Sequence, residues 1–306
     1  MRCWHGARLR QPDLRSDFWW GALLIVLAAL SWSTAGLFPR LVSTDMPTTL
    51  LWRSALGGLT VLIGFAYVQR DQPVSRLWQL SRAELTMTFL GAAAMISFVA
   101  AFYFAPVADV VFIYGAFPIV TLLLSAIFLK HKVRAVDIGC SIAVLGGVAI
   151  ILGGQPSLQN VFGTGLSFCA TLMFATMTMG IKRYPQANMV KVTYAGAALS
   201  ALVMLPFSDF AHTSAHDMAW LWFYGFLNIG VGFGLYLLGV HKLKPVLASL
   251  ICMLEIPLAP LWAYLVFGDG VRAASMAGGA VILMAACINL LASDRQAAAQ
   301  GSGSAA

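Results

Sequence analysis

Long apolar runs alternate with short polar breaks along most of the chain, at a spacing that suits lipid. A spanning helix needs about 20 mostly apolar residues. By that length the pattern predicts ten helices, over 18–37, 47–68, 84–105, 106–129, 135–153, 159–181, 188–207, 218–240, 245–267 and 272–292. Residues that stop helices mark the breaks. Pro106 alone parts the third from the fourth, because proline opens a helix and disfavours extending the one before it. Gly153-Gly154-Gln155-Pro156 parts the fifth from the sixth. No small-x-small cleavage site follows the first run, so it reads as a retained helix rather than a signal peptide. Residues 1–17 read as a cytoplasmic segment, and the polar, Ala/Gly/Ser-rich tail 293–306 as disordered.

Composition agrees: of 306 residues 60% are hydrophobic and 10% charged, with mean hydropathy +0.82. A water-soluble domain of this size could not cover itself with so little polar surface. The charges then orient the chain. With the N-terminus inside, sixteen Lys and Arg fall in cytoplasmic segments, from Arg2, Arg8, Arg10 and Arg15 through Lys130, Lys132 and Arg134 to Arg295; Arg40 and Arg272 lie outside. That asymmetry predicts both termini in the cytoplasm and accounts for the net charge of +7 without nucleic acid. Trp19, Trp20, Trp78, Trp220 and Trp222 near span ends match interfacial aromatic belts. The five cysteines are isolated and read as packing residues.

The chain is written twice. PVADVVFIYGAFP (106–118) lies over PVLASLICMLEIP (245–257) at an offset of 139, and GALLIVLAALSWSTAGLFPR (21–40) over GTGLSFCATLMFATMTMGIK (163–182) at 142. The second match places Trp32 opposite Phe174 and Arg40 opposite Lys182. Five helices per unit is an odd number, so the second unit enters the membrane from the other side. The expected architecture is an all-α, polytopic membrane protein of ten helices in a 5+5 inverted repeat, 18–153 and 159–292. Inverted repeats point to secondary carriers, in which the halves exchange conformations.

These features resemble the drug/metabolite transporter superfamily in its EamA-like branch. The likeness rests on Ser31-Trp32-Ser33, on LLWRSALGGL (50–59, with Arg53) and on the two helices opening and closing with proline, and it covers 18–292. The family often has a Gly-Glu pair after the fourth and ninth helices; here Lys130-His131 and Gly268-Asp269 stand there. Within the branch the chain is similar to YddG-like amino-acid exporters. The resemblance implies a ten-helix carrier, not an enzyme, and a bacterial inner-membrane location.

Glu255 is the outstanding chemical candidate. It sits ten residues after Pro245, about 15 Å deep at about 1.5 Å per residue. A charge at that depth costs about 3 kcal/mol or more, so Glu255 is expected to face a cavity. There it could bind a substrate ammonium, exchange substrate for a proton, or hydrogen-bond between helices. Helical spacing turns Ala248, Cys252 and Trp262 to its face; the repeat turns Phe112 and Asp109 inward. Pro257 and Pro260 are expected to kink the ninth span and free a carbonyl beside the glutamate; Pro118 and Pro257 are candidate gating positions. Arg53 reads as a structural or gating residue, pairing with Asp109 or snorkelling outward. Asn228, with Tyr224 a turn away, is interhelical glue or a substrate hydrogen bond. Trp32 with Ser33, and Phe174 with Thr171 and Thr178, form matched aromatic walls.

The substrate-binding candidates are therefore Trp32, Ser33, Phe112, Phe174, Tyr224, Asn228, Glu255 and Trp262, with Glu255, Arg53, Asp109, Pro118 and Pro257 for coupling or gating. His212 and His216 have metal-like spacing but read as a solvated external loop, and no metal or cofactor is expected. An intramembrane enzyme is disfavoured by the lack of HExxH or a clustered acidic motif. What remains is a carrier exporting small amphipathic metabolites, amino acids foremost, or else an efflux carrier for lipophilic cations.

Overall fold

The computed structural model describes residues 14–68, 78–128, 135–153, 158–240, 242, 248 and 251–303. Every regular element among them is helical. The first half holds α1 (Leu14–Ser33), α2 (Met46–Val68), α3 (Arg82–Phe104), α4 (Val107–Tyr114), α5 (Phe117–Phe128) and α6 (Ala135–Gly153). The second holds α7 (Leu158–Arg183), α8 (Met189–Met204), α9 (Ala215–Gly225), α10 (Phe233–Val240), α11 (Glu255–Phe267) and α12 (Ala273–Gly303).

Six stretches among the described residues are long and apolar enough to cross a membrane: Met46–Val68, Arg82–Phe104, Val107–Phe128, Asn160–Met177, Met189–Phe207 and Ala215–Tyr236. Shorter apolar helices cover Phe18–Ser33, Ala135–Ile151, Glu255–Phe267 and Ala273–Asn289. Their outward faces expose large apolar side chains such as Leu27, Ile63, Phe89, Ile142 and Leu202. Water penalises such a surface and lipid does not. The protein is a multi-pass membrane protein.

Helix starts are fixed by side-chain oxygens that take the unpaired N–H groups. At α3, Ser81 and Glu84 form a capping box, and Ser214 and Asp217 form one at α9. Each acid also reaches into the other half. Glu84 accepts from the Asn188 N–H at 2.8 Å, just before α8. Asp217 accepts from the Ser43 N–H at 2.9 Å and the Ser43 hydroxyl at 2.8 Å, just before α2.

The packing shows the same exchange. α2 packs on α8, α4 on α11 and α6 on α12, so corresponding elements of the halves meet each other. The α3–α7 contact has its counterpart in α1–α10, and α3–α8 in α2–α9. Glycines permit the closest approaches. A Cβ on Gly278 would stand 2.4 Å from the Gly147 carbonyl oxygen, and one on Gly225 2.4 Å from that of Arg53.

Two predicted helices are broken, the fourth where continuity was expected and the ninth close to the prolines expected to kink it. The fourth run divides at Gly115–Ala116, between α4 and α5, and the ninth at Met253–Leu254, before α11. Each break lies two to four residues before a proline, Pro118 or Pro257. A proline offers no N–H to the carbonyl four residues back and its ring crowds that carbonyl, so the helix restarts. Of the two carbonyls that Pro257 and Pro260 release, that of Met253 is taken up by the Ile256 N–H at 3.1 Å. Pro260, inside α11, leaves the Ile256 carbonyl without its helical donor.

α1 stops at Ser33 rather than 37. The Ser33 and Thr34 hydroxyls bond back to the carbonyls of Leu30 and Ser31, each at 2.7 Å, and compete with the helical ladder. The tail also departs from expectation. α12 continues to Gly303, because Ala-rich sequence without proline propagates a helix. The segment 1–13, the loops holding Arg70, Arg76 and Lys130–Arg134, Gly154–Pro156, and the predicted start of the ninth span at Pro245 lie outside the described residues.

Candidate functional site

The broken helices cross at their breaks. A Cβ on Gly115 would lie 2.9 Å from Ile256 Cδ1, so only glycine admits this approach without displacing that side chain. Glu255, the first residue of α11, is 7% exposed. It lies within electrostatic reach of Tyr114, the last residue of α4, and of Cys252 on its own side of the break. Tyr236 of α10 joins this group beside Tyr114 and Cys252. No ion pair among the described residues includes Glu255.

The tyrosines of this group each sit in an aromatic cluster. Tyr114 meets Phe98 at 5.0 Å, Phe117 at 6.0 Å and Phe174 edge-on at 6.0 Å between centroids. On the other side Tyr236 lies 5.4 Å from Trp32, which meets Phe233 at 5.2 Å. Thus Phe174 packs on Tyr114, the glutamate's neighbour, while Trp32 packs on Tyr236, which lies near Tyr114 and Cys252. An acid beside aromatic faces can hold a cation by charge and by the ring quadrupoles.

The Ser-Trp-Ser motif is a clamp on the second half. Between α9 and α10 the chain is wound as a π-helix, Phe226–Gly232. The Ser31 hydroxyl donates to Leu227 O at 2.6 Å and the Trp32 indole N–H to Asn228 O at 3.0 Å. Asn228 Nδ2 donates in return to Ser31 O at 3.0 Å. A Cβ at Gly232 would lie 2.4 Å from Trp32 Nε1, so the glycine makes room for the ring. Of the two readings of Asn228, glue is the one its amide nitrogen serves. Ser33 is engaged by the Trp262 indole N–H at 2.9 Å, which ties α1 to α11.

Other candidates make contacts of their own. Phe112 lies against Gly279 of α12, where a Cβ would be 2.4 Å from its ring, so it packs the α4–α12 seam. Thr171 bonds back to Ser167 O at 2.8 Å, and Ser167 donates to Val110 O at 2.7 Å, joining α7 to α4. Pro118 and Pro257 stand in the first turns of α5 and α11. The expected Arg53–Asp109 pair does not form. Asp109 accepts from Arg272 and from the Ser275 hydroxyl at the start of α12, because its face of α4 is turned to α12. Arg53 instead places its guanidinium 4.6 Å from the centre of the Tyr224 ring. Arg40 pairs with Asp269 at the same end of the bundle. His212 meets Asp209, and His216 accepts from the Trp220 indole at 3.0 Å. A cavity of about 370 Å³ opens elsewhere, along the α2–α8 side by Leu59, Trp78, Tyr194 and Leu202; it is apolar and holds none of these candidates.

The repeated halves, and the motifs that lock them together, are those of a known family: the model of the EamA-like transporter family matches residues 19–153 and again 161–291. The chain belongs to the EamA-like transporter family. As an EamA-like protein it is a membrane transporter. It is similar to the uncharacterized transporter YxxF of Bacillus subtilis strain 168, 22% identical over 243 residues, which are 76% of each chain. A solved crystal structure shares the fold, with a TM-score of 0.64 at 20% identity, over 90% of this chain and 98% of the other.

Sequence reasoning missed four groups of this EamA-like site: Tyr114, Tyr236, Phe98 and the π-helix. Tyr114 had a signal, standing in the repeat one residue short of the position matching Leu254, at the break itself. The π-helix had a weaker one in the glycines of GFLNIGVGFG. For Phe98 and Tyr236 no sequence signal sets them apart from packing aromatics.

Proposed function

We propose that this protein is a secondary carrier exporting small amphipathic metabolites, amino acids most of all, across a bacterial inner membrane by alternating access. Glu255 is the substrate-ammonium or proton site. The observation that carries this reading is the buried carboxylate at the crossing of two broken helices, beside Tyr114, whose ring packs on Phe174, with the Tyr236–Trp32 pair near Tyr114. A midplane acid and an interrupted helix are what transport needs, since substrate must be held where lipid offers nothing.

Ten spans in two inverted halves, both termini cytoplasmic, complete the proposal. The contacts that recur in exchanged pairs support the inversion, as do the reciprocal caps Glu84–Asn188 and Asp217–Ser43. In this arrangement Arg40–Asp269 and Asp109–Arg272 bind the halves together at the outer end, as a latch that opens in the alternate state. The aromatic walls also favour a second reading, efflux of lipophilic cations on the same glutamate.

Proteoliposomes loaded with unlabelled amino acids test the proposal by counterflow of labelled phenylalanine, tryptophan, threonine and methionine, with Glu255→Gln in parallel. Saturable exchange that Glu255→Gln abolishes or uncouples is the expected result. Exchange of labelled tetraphenylphosphonium without any amino acid would transfer the assignment to the second reading. Normal proton-dependent rates in Glu255→Gln would remove the glutamate from the mechanism.

A further inference from the structure

Arg53 and Tyr224 present buried donors that the described residues leave without a partner of normal geometry. Arg53 is 6% exposed and Tyr224 fully buried. Among the described residues, Arg53 Nε, Arg53 Nη1 and the Tyr224 hydroxyl have no hydrogen-bond partner of normal geometry, though the hydroxyl and the guanidinium lie within reach of each other. One face of the Tyr224 ring stacks on Phe38 at 4.5 Å and 11°, and the guanidinium lies over the ring as well. The two side chains are held together by α2 and α9, whose backbones approach at Gly57 and Gly225.

The acids at this end are already engaged. Asp109 holds Arg272 and Ser275, Asp217 holds Ser43 and Ser214, and Asp269 holds Arg40. Asp45 accepts from the Thr48 N–H and Asp209 meets His212. A guanidinium out of water without a counterion is strongly unfavourable, whereas one joined by an anion is not. Its ring contact supplies only a partial negative potential. Guanidinium N–H groups beside a phenol hydroxyl match a carboxylate, which accepts from both. A single guanidinium compensates one negative charge, which favours a monocarboxylate over a phosphate ester.

We infer that Arg53 and Tyr224 form an anion subsite that takes the carboxylate of the transported molecule. The inference rests on the carrier reading and narrows its substrates to organic acids and zwitterions, which a carrier of lipophilic cations would not need.

The test uses three probes of one shape: phenylalanine, phenethylamine, which lacks the carboxylate, and 3-phenylpropionate, which lacks the ammonium. In the purified protein, 3-phenylpropionate should raise the melting temperature of wild type and of Glu255→Gln alike, and not of Arg53→Gln. In proteoliposomes, Arg53→Gln should raise the half-saturation concentration for phenylalanine at least tenfold and leave competition by phenethylamine unchanged. Tyr224→Phe should act in the same direction more weakly. Arg53→Lys keeps the charge and guards against misfolding; it should recover part of the phenylalanine affinity. Phenylalanine exchange that Arg53→Gln leaves unaltered would overturn the subsite and spare the carrier. An equal loss for phenylalanine and phenethylamine would also overturn it, by showing a merely structural arginine. Absence of exchange for any amino acid in folded wild type would overturn the amino-acid reading on which the subsite rests.

Discussion

The Trp262 indole N–H donates to the Ser33 hydroxyl at 2.9 Å, across 229 residues of sequence. Ser33 donates onward to Leu30 O at 2.7 Å, at the point where α1 ends. One short relay thus fixes both the end of α1 and the seating of α11. Ser33→Ala strands a partly buried indole N–H, which costs about 1–3 kcal/mol. Trp262→Phe removes the donor as well as the acceptor's need for it. The melting temperature should fall for Ser33→Ala, and the double variant should fall by less than the sum of the singles. Strict additivity would mean that the two groups do not act on each other.

Neighbouring glycines of α6 and α12 should respond in opposite ways. Around Gly278 the nearest obstacle is backbone, the Gly147 carbonyl at 2.4 Å from a new Cβ, so it cannot move aside. Gly278→Ala should therefore abolish a monodisperse size-exclusion peak or lower the melting temperature steeply. Gly146 has open space within 4 Å. Gly146→Ala should be neutral or stabilising by up to about 1 kcal/mol through helix propensity.

The two ion pairs that join the halves, Arg40–Asp269 and Asp109–Arg272, should differ in worth. Asp109 is 1% exposed, and Asp109→Asn leaves Arg272 facing an uncharged amide. Removing one partner of a buried pair costs about 3–5 kcal/mol, and the partial exposure of Arg272 puts this one toward the low end. Arg40 and Asp269 are each more than two-fifths exposed, so Arg40→Ala should cost less than about 1 kcal/mol. Chemical denaturation at two salt concentrations checks both: salt should erase the Arg40→Ala effect and leave that of Asp109→Asn.

In the loop between α8 and α9, the Asp209 carboxyl is held below the ordinary carboxylate value, first by the His212 side chain and then by the Ala211 N–H at 2.9 Å. A lowered value means that this contribution is present above the unfolded-state pKa, about 3.9, and is lost as pH falls through the folded value. Asp209 therefore adds no pH dependence between about 5 and 8. His212→Ala should move the Asp209 titration upward, read by its carboxyl carbon shift in NMR; an unmoved midpoint would discard the contact.

Much of this was legible before any coordinates. Ten apolar runs, the doubled halves and the exceptional position of Glu255 follow from the cost of exposed polarity in lipid, which constrains sequence strongly. Partners were harder to read. Asp109 and Arg53 share an end of the bundle, but pairing depends on rotation about two helix axes, and an apolar pattern in lipid lacks the one-sided stripe that would set it. Asp109 accordingly found Arg272, 163 residues away. The role of Trp32 was half legible: its ring lies in an aromatic cluster with Tyr236, while its N–H holds a π-helix that glycine spacing only hinted at.

The reciprocal caps have a consequence for how the chain is made. Asp217 completes the approach to α2 at Ser43, 174 residues earlier in the chain. At about 5–20 residues per second that acid leaves the ribosome roughly 10–35 s after its partner. For that interval the first-made helices wait in the membrane with an unfinished joint, and the protein acquires its shape only when its second half is threaded in.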